Sequence, residues 1–142
     1  MLGDYVPFNF CPRSVMLYVV HKGHSNYRGG QGDIVHLVSR VSLATKLGRP
    51  WAFTDRHAEL AHALHYDDLS QLDEVPWQAI GSTYWPEVRE ERQAEFLVHE
   101  FFPWTAVEEV AVMSVATETK VDRALRGAAH SPVVKVRRDW YY

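Results

Sequence analysis

The apolar positions of the chain come in short bursts with two different periods. Residues 4–10, "DYVPFNF", alternate weakly and carry aromatics, which predicts a strand. Pro7 within it removes a ladder donor, so an edge position or a bulge is expected. In "CPRSVMLYVV" the period lengthens. Val15, Met16, Val19 and Val20 make a helical stripe, with Pro12 suited to a first helical turn. The polar, glycine-rich "HKGHSNYRGGQGD" breaks the pattern and predicts a loop, without the Gly-Lys-Ser/Thr ending of a phosphate-binding loop. "DIVHLVS" is apolar on both faces, as a central strand should be, with His36 as a hydrogen-bonded core histidine. "SRVSLATKLGRP" predicts a helix stopped by Gly48 with Pro50 just beyond, and "WAFTD" returns as a strand.

From Arg56 to Arg92 the helical pieces are short, one of them within Asp67 to Leu72. "RHAELAHALHYDD" reads as helical, which would place His62 and His65 on one face. "RQAEFLVHEFFPW" then predicts a buried strand over Glu95 to Phe102. Side chains alternate along a strand, so Glu95, Leu97, His99 and Phe101 would share one face and Phe96, Val98, Glu100 and Phe102 the other. "EEVAVMSV" is a further strand. "TETKVDRALRGA" is an amphipathic helix with Thr117 as a possible N-cap and Gly127 as its stop. "SPVVKVRRDW" closes the chain as a strand with a basic end. About five or six strands outnumber the helical crossovers, which favours a mixed α+β domain over a doubly wound sheet.

Composition narrows this picture. The 142 residues suit a single domain spanning 1–142, and 46% hydrophobic content supports a core. A formal net charge of −3 excludes a globally basic nucleic-acid binder, so only a local basic face would count. The lone Cys11 allows no internal disulfide and reads as a small, inert apolar residue. No apolar run approaches the roughly 18 residues of a membrane span. "MLGDYVPF" lacks the regions of a signal peptide, and a cytoplasmic protein is expected.

Three constellations have chemical potential. Glu95 opens an apolar strand: it is either the solvated end of that strand or an anion facing a cleft, where it stabilises a developing cation or activates a nucleophile. Periodicity leaves both open. His57, His62 and His65 with Asp67 and Asp68 offer metal-ligand types, without the spacing of a strong motif. A metal-dependent nuclease on His57, His62, His65 and Asp67 is the reading they would support. Arg89, Arg92, Arg123, Arg126, Lys135, Arg137 and Arg138 lie near Tyr84, Trp85, Trp140, Tyr141 and Tyr142 in sequence. Cations interleaved with stacking aromatics suit a single-stranded nucleic acid. Ordinary charged surface accounts for them equally, because Glu87, Glu90 and Glu91 are interspersed.

Five blocks in order, "DYVPFNFCPRSVMLY", "VHLVSRV", "AFTDRH", "RQAEFLVHEFFPW" and "RRDWYY", resemble the DarT family, bacterial toxins that ADP-ribosylate bases in single-stranded DNA using NAD. The resemblance runs from Asp4 to Tyr142. It implies the ADP-ribosyltransferase fold, a split α+β arrangement of mixed sheets with short helices. It implies that Glu95, the glutamate of the "AEFLV" motif, is catalytic, and that Arg89 meets the target base, thymidine. His57 and Arg92 are weaker candidates for the same DNA-facing surface. The segment from about Thr54 to Glu95 would be the substrate-recognition region. NAD is implied as a substrate with no metal, and a macrodomain antitoxin as a partner. Family members carry a further segment before the first block, holding a histidine strand motif and an arginine that grip NAD. The chain is therefore expected to lack the first strand of the family fold and its NAD-binding residues, which would lie upstream of Met1. The alternative expectation is a non-catalytic remnant that binds nucleic acid or a partner protein.

Overall fold

The computed structural model describes residues 1–142. In chain order the elements are β1 (Tyr5–Asn9), α1 (Val15–Lys22), β2 (His36–Val38), α2 (Val41–Ala44), β3 (Trp51–Thr54), β4 (His65–Tyr66), α3 (Trp77–Ile80), α4 (Arg89–Arg92), β5 (Glu95–His99), β6 (Glu109–Val112), α5 (Val115–Leu125) and β7 (Val133–Val136), with short 3₁₀ turns between them. They form two compact units. Residues 1–15 and 41–102 make the first; residues 16–40 and 103–142 make the second.

The first unit is built on a four-stranded antiparallel sheet in the order β1-β5-β3-β4. β1 is an edge strand, which gives Pro7 its expected place. β5 runs through the middle, and its Phe96, Leu97 and Val98 are all buried. One face of the sheet is an aromatic core. Phe53 and Phe96 sit opposite each other across β3 and β5, with Trp51 stacked on Phe96 at 5.7 Å and Tyr66 on Phe53 at 5.4 Å. Ala44, Val75, Ile80, Ala94 and Val98 complete it. Burial of this apolar surface, rather than helix propensity, holds the three short helices of this unit in place.

β5 ends sooner than its hydrophobicity predicts. Glu100 has φ 61°, in the left-handed region, so the alternation stops at His99 and Phe101 is turned outward. Backbone bonds from Glu100 N–H to Asp4 O and from Phe101 N–H to His99 O fix this turn. The stretch from His57 to Asp68 also departs from expectation. It folds as turns around the short β4 and is not a helix, so His62 and His65 share no helical face. Asp55 is the cause: its Oδ1 accepts from Leu64 N–H at 2.9 Å, and its own N–H bonds Leu64 O. That pairing closes a loop and diverts the backbone from helix.

The second unit carries a three-stranded sheet in the order β2-β6-β7, with β2 antiparallel and β7 parallel to β6. The helix α5 connects the parallel pair, as such a pair requires. β6, not β2, is the central strand; β2 lies at an edge with Leu37 half exposed. Ser114 rather than Thr117 caps α5: its Oγ accepts from Thr117 N–H. In α1, Val15 and Leu17 are buried and Met16 faces outward, a rotation of the expected stripe. Gly48 and Gly127 adopt φ +72° and +82°, the left-handed stops expected of them.

Candidate active site

Glu95 stands at the start of the central strand, directly beside Thr54 at the end of β3. Thr54 is fully buried, and its Oγ1 accepts from Glu95 N–H at 2.9 Å while donating to Arg56 O at 2.6 Å. One hydroxyl thus fixes both the backbone of Glu95 and the first residues of the following loop. That loop turns back over the carboxylate. Ala58 N–H donates to Glu95 Oε2 at 2.9 Å, and His57 Nδ1 lies 3.3 Å from the same oxygen. The Glu95 side chain is 16% exposed. Its Oε2 is held by the protein, and no protein group donates to Oε1.

Glu90, on α4, ties the same loop down from the other side. Its carbonyl accepts from His57 N–H, and its carboxylate meets His62 Nε2 at 2.9 Å and Arg56 Nη1 at 3.7 Å. The loop after β3 is therefore anchored both to Glu95 itself and to the helix that precedes it, α4.

Strand register decides what Glu95 faces. Asn9 pairs with Glu95, Pro7 and Ala52 with Leu97, and Tyr5 with His99. Glu95, Leu97, Ala52 and Tyr5 therefore share the face opposite the aromatic core. On that face lies a concavity of about 610 Å³, lined by Leu2, Tyr5, Ala52, Ala58, Glu59, His65 and Leu97. Ala58, which donates to Glu95, is part of its wall. At 16% side-chain exposure and with Oε2 bonded to Ala58 N–H, Glu95 is not a freely solvated strand end; its side chain lies beside Ala58, which lines the concavity.

The structure brings His57 together with Glu95 and leaves Arg89 exposed on α4. Arg92 does not join that exposed surface. It is 8% exposed, and its guanidinium donates to Ile80 O and Ser82 O through Nη1 and to Arg13 O through Nη2, with Ala79 O at 3.5 Å. Nε has no partner, but at this depth of burial the guanidinium does not reach the surface where phosphate or base would bind. No group of three or more His, Cys, Asp or Glu side chains is placed to hold an ion, so His57, His62, His65 and Asp67 are not gathered at one point. Two contributors escaped the sequence pattern, Thr54 and Ala58. A Thr-Asp pair ending a strand is the signal that points to the first; a backbone donor such as Ala58 leaves none.

The basic end of the chain is largely neutralised. Arg137 donates to both Glu109 oxygens at 2.9 and 3.2 Å, and Lys135 approaches the same carboxylate at 3.7 Å. The Arg137 hydrogen bond holds the Glu109 pKa below the ordinary carboxylate value.

The fold is that of an ADP-ribosyltransferase. Thermus sp. 2.9 DarT in complex with carba-NAD+ superposes with a TM-score of 0.96 at 47% identity, covering 100% of this chain and 75% of that one. The same protein in complex with ADP-ribosylated ssDNA gives 0.96 at 47% identity, over 100% and 70% of the two chains. The chain belongs to the DarT family: the family model described as ssDNA thymidine ADP-ribosyltransferase, DarT, matches residues 1–142. A DNA ADP-ribosyl transferase of Thermus sp. (strain 2.9) is 48% identical over 147 residues, which spans 100% of this chain and 70% of that relative.

Proposed function

We propose that the chain transfers ADP-ribose from NAD to a thymidine base in single-stranded DNA, with Glu95 as the catalytic residue. The observation that carries this reading is the fixed carboxylate: Oε2 bound by Ala58 N–H and His57, Oε1 assigned to a substrate, and the donor Ala58 itself in the wall of a concavity. A carboxylate held by existing hydrogen bonds needs no reorganisation as charge develops. It fits the ribose of NAD, whose hydroxyls are donors and whose anomeric carbon becomes cationic.

In the transfer, the bond from ribose C1′ to the nicotinamide nitrogen breaks and nicotinamide leaves with the electron pair. The bond from C1′ to a ring nitrogen of the base forms, and the proton of that nitrogen is released to solvent water. Glu95 stabilises the positive charge and orients the sugar. Positioning of the base supplies the rest, since a ring nitrogen of a base is a weak nucleophile. Arg89, exposed six residues before Glu95 in sequence, is the cation we assign to the base. His57 is assigned here to the carboxylate rather than to DNA. The site of action is the cytoplasm, where single-stranded DNA and NAD occur together, and a macrodomain antitoxin that removes the modification is the expected partner. No helix of the chain is long and apolar enough to cross a membrane.

The test is direct. A thymidine-containing single-stranded oligonucleotide incubated with NAD and the protein gains the mass of one ADP-ribose; Glu95→Gln leaves it unmodified. Equal product from the variant would sink the assignment.

A further inference from the structure

Arg92 is a buried cation whose hydrogen-bond partners are all carbonyls. Nη1 and Nη2 are bonded while Nε has no partner, so the cost of burying this ion is only partly offset, and its effect is read from the carbonyls it holds. What it fixes is a turn. Nη1 gathers Ile80 O and Ser82 O at the end of α3, and Nη2 reaches back to Arg13 O, beyond the end of β1. Trp85 stands 5.9 Å from the guanidinium carbon, in cation–π range. Ser82 continues the chain of contacts by donating from Oγ to Tyr84 O at 2.6 Å. The turn then presents Tyr84, 72% exposed, and leads into Arg89 on the same short helix as Arg92.

We propose that Arg92 is a positioning residue that sets the segment from Ser82 to Arg89 so that Tyr84 and Arg89 form one surface for single-stranded DNA. An exposed tyrosine suits base stacking and an arginine suits a base edge or phosphate. Free in solution, a turn of this kind would sample many geometries; a planar fork that engages three carbonyls at once leaves it one. Lysine cannot reproduce this, because its ammonium is a single point donor on a flexible stem. The inference rests on the single-stranded DNA reading above.

The experiment uses Arg92→Lys, Tyr84→Ala, Arg89→Ala and the pairwise double variants in the full chain. Oligonucleotide affinity is read by fluorescence anisotropy, and KM and kcat by the mass assay. Amide exchange over residues 80–86 reports the turn. Arg92→Lys should accelerate exchange there and raise the oligonucleotide Kd and KM about tenfold. The KM for NAD, and kcat at saturating oligonucleotide, should stay near wild type. Combined with Tyr84→Ala or Arg89→Ala, it should add little further loss, because all three act through one surface. Faster exchange with unchanged oligonucleotide affinity would overturn the positioning role while leaving the proposed function intact. Full additivity in the double variants would overturn it too, marking Arg92 as a residue that merely stabilises the fold. An oligonucleotide that wild type fails to bind would remove both readings together.

Discussion

The chemistry of the site narrows to two carboxylate oxygens with different surroundings. Oε2 of Glu95 is occupied by Ala58 N–H and His57 Nδ1, and Oε1 is the oxygen we propose meets substrate. A glutamine at 95 keeps the shape and loses the charge. Transfer should fall about 100- to 1,000-fold in Glu95→Gln, with little change in thermal midpoint. His57 offers a sharper test, because Asn places its amide near Nδ1 and Gln places it near Nε2. His57→Asn should retain more kcat than His57→Gln; the opposite order would show that the ring works through Nε2. Thr54 is argued in the same way. Thr54→Val keeps the volume but strands the buried Glu95 N–H and Arg56 C=O, so it should cost about 1–3 kcal/mol in urea unfolding and also lower kcat. A variant as stable as wild type would mean that the hydroxyl organises nothing.

At the scale of elements, β5 was legible because its apolar run and flanking polar residues are local properties. Its neighbours, and hence the face Glu95 presents, were not, because register is a relation between strands distant in sequence. The stretch from His57 to Asp68 misled for a related reason: its composition suits a helix, but Asp55 captures Leu64 N–H and closes a loop first. Arg92 reads as surface in any sequence pattern, and only the convergence of three carbonyls makes its burial intelligible. β2 reads as central because "DIVHLVS" is short and apolar on both faces. It is an edge strand on which the His36 ring packs against Trp140 and Tyr141, at 5.8 and 4.9 Å. Burial pushes the His36 pKa below its ordinary 6.5, and Nε2 has no partner. As pH falls, the unfolded chain therefore takes up this proton first. The associated stability is complete above 6.5 and declines as pH drops from there toward the folded value. His36→Phe should remove that component, so its urea midpoint should fall less than that of wild type between about pH 7.5 and about pH 5.5. Parallel curves for the two proteins would contradict the assignment. Glu109 acts lower on the scale. Its depressed pKa contributes stability that is present above 4.5 and lost as pH falls through the folded value.

For the whole molecule, composition set limits and little more. A net charge of −3 leaves room for a local DNA surface but does not place one. The exposed Tyr84 and Arg89 are the place we propose for it, while Arg137 and Lys135, which look equally suited from sequence, are drawn onto Glu109. Because no cluster of ligating side chains is assembled, transfer should proceed at an unchanged rate after chelator treatment. A loss of activity that zinc or magnesium restores would reopen the metal reading. The most direct measurement of the central claim is intact mass analysis of a single-stranded thymidine oligonucleotide after incubation with NAD and either wild type or Glu95→Gln. The account predicts one added ADP-ribose with wild type and unmodified DNA with the variant. The same product in the same yield from both would contradict it.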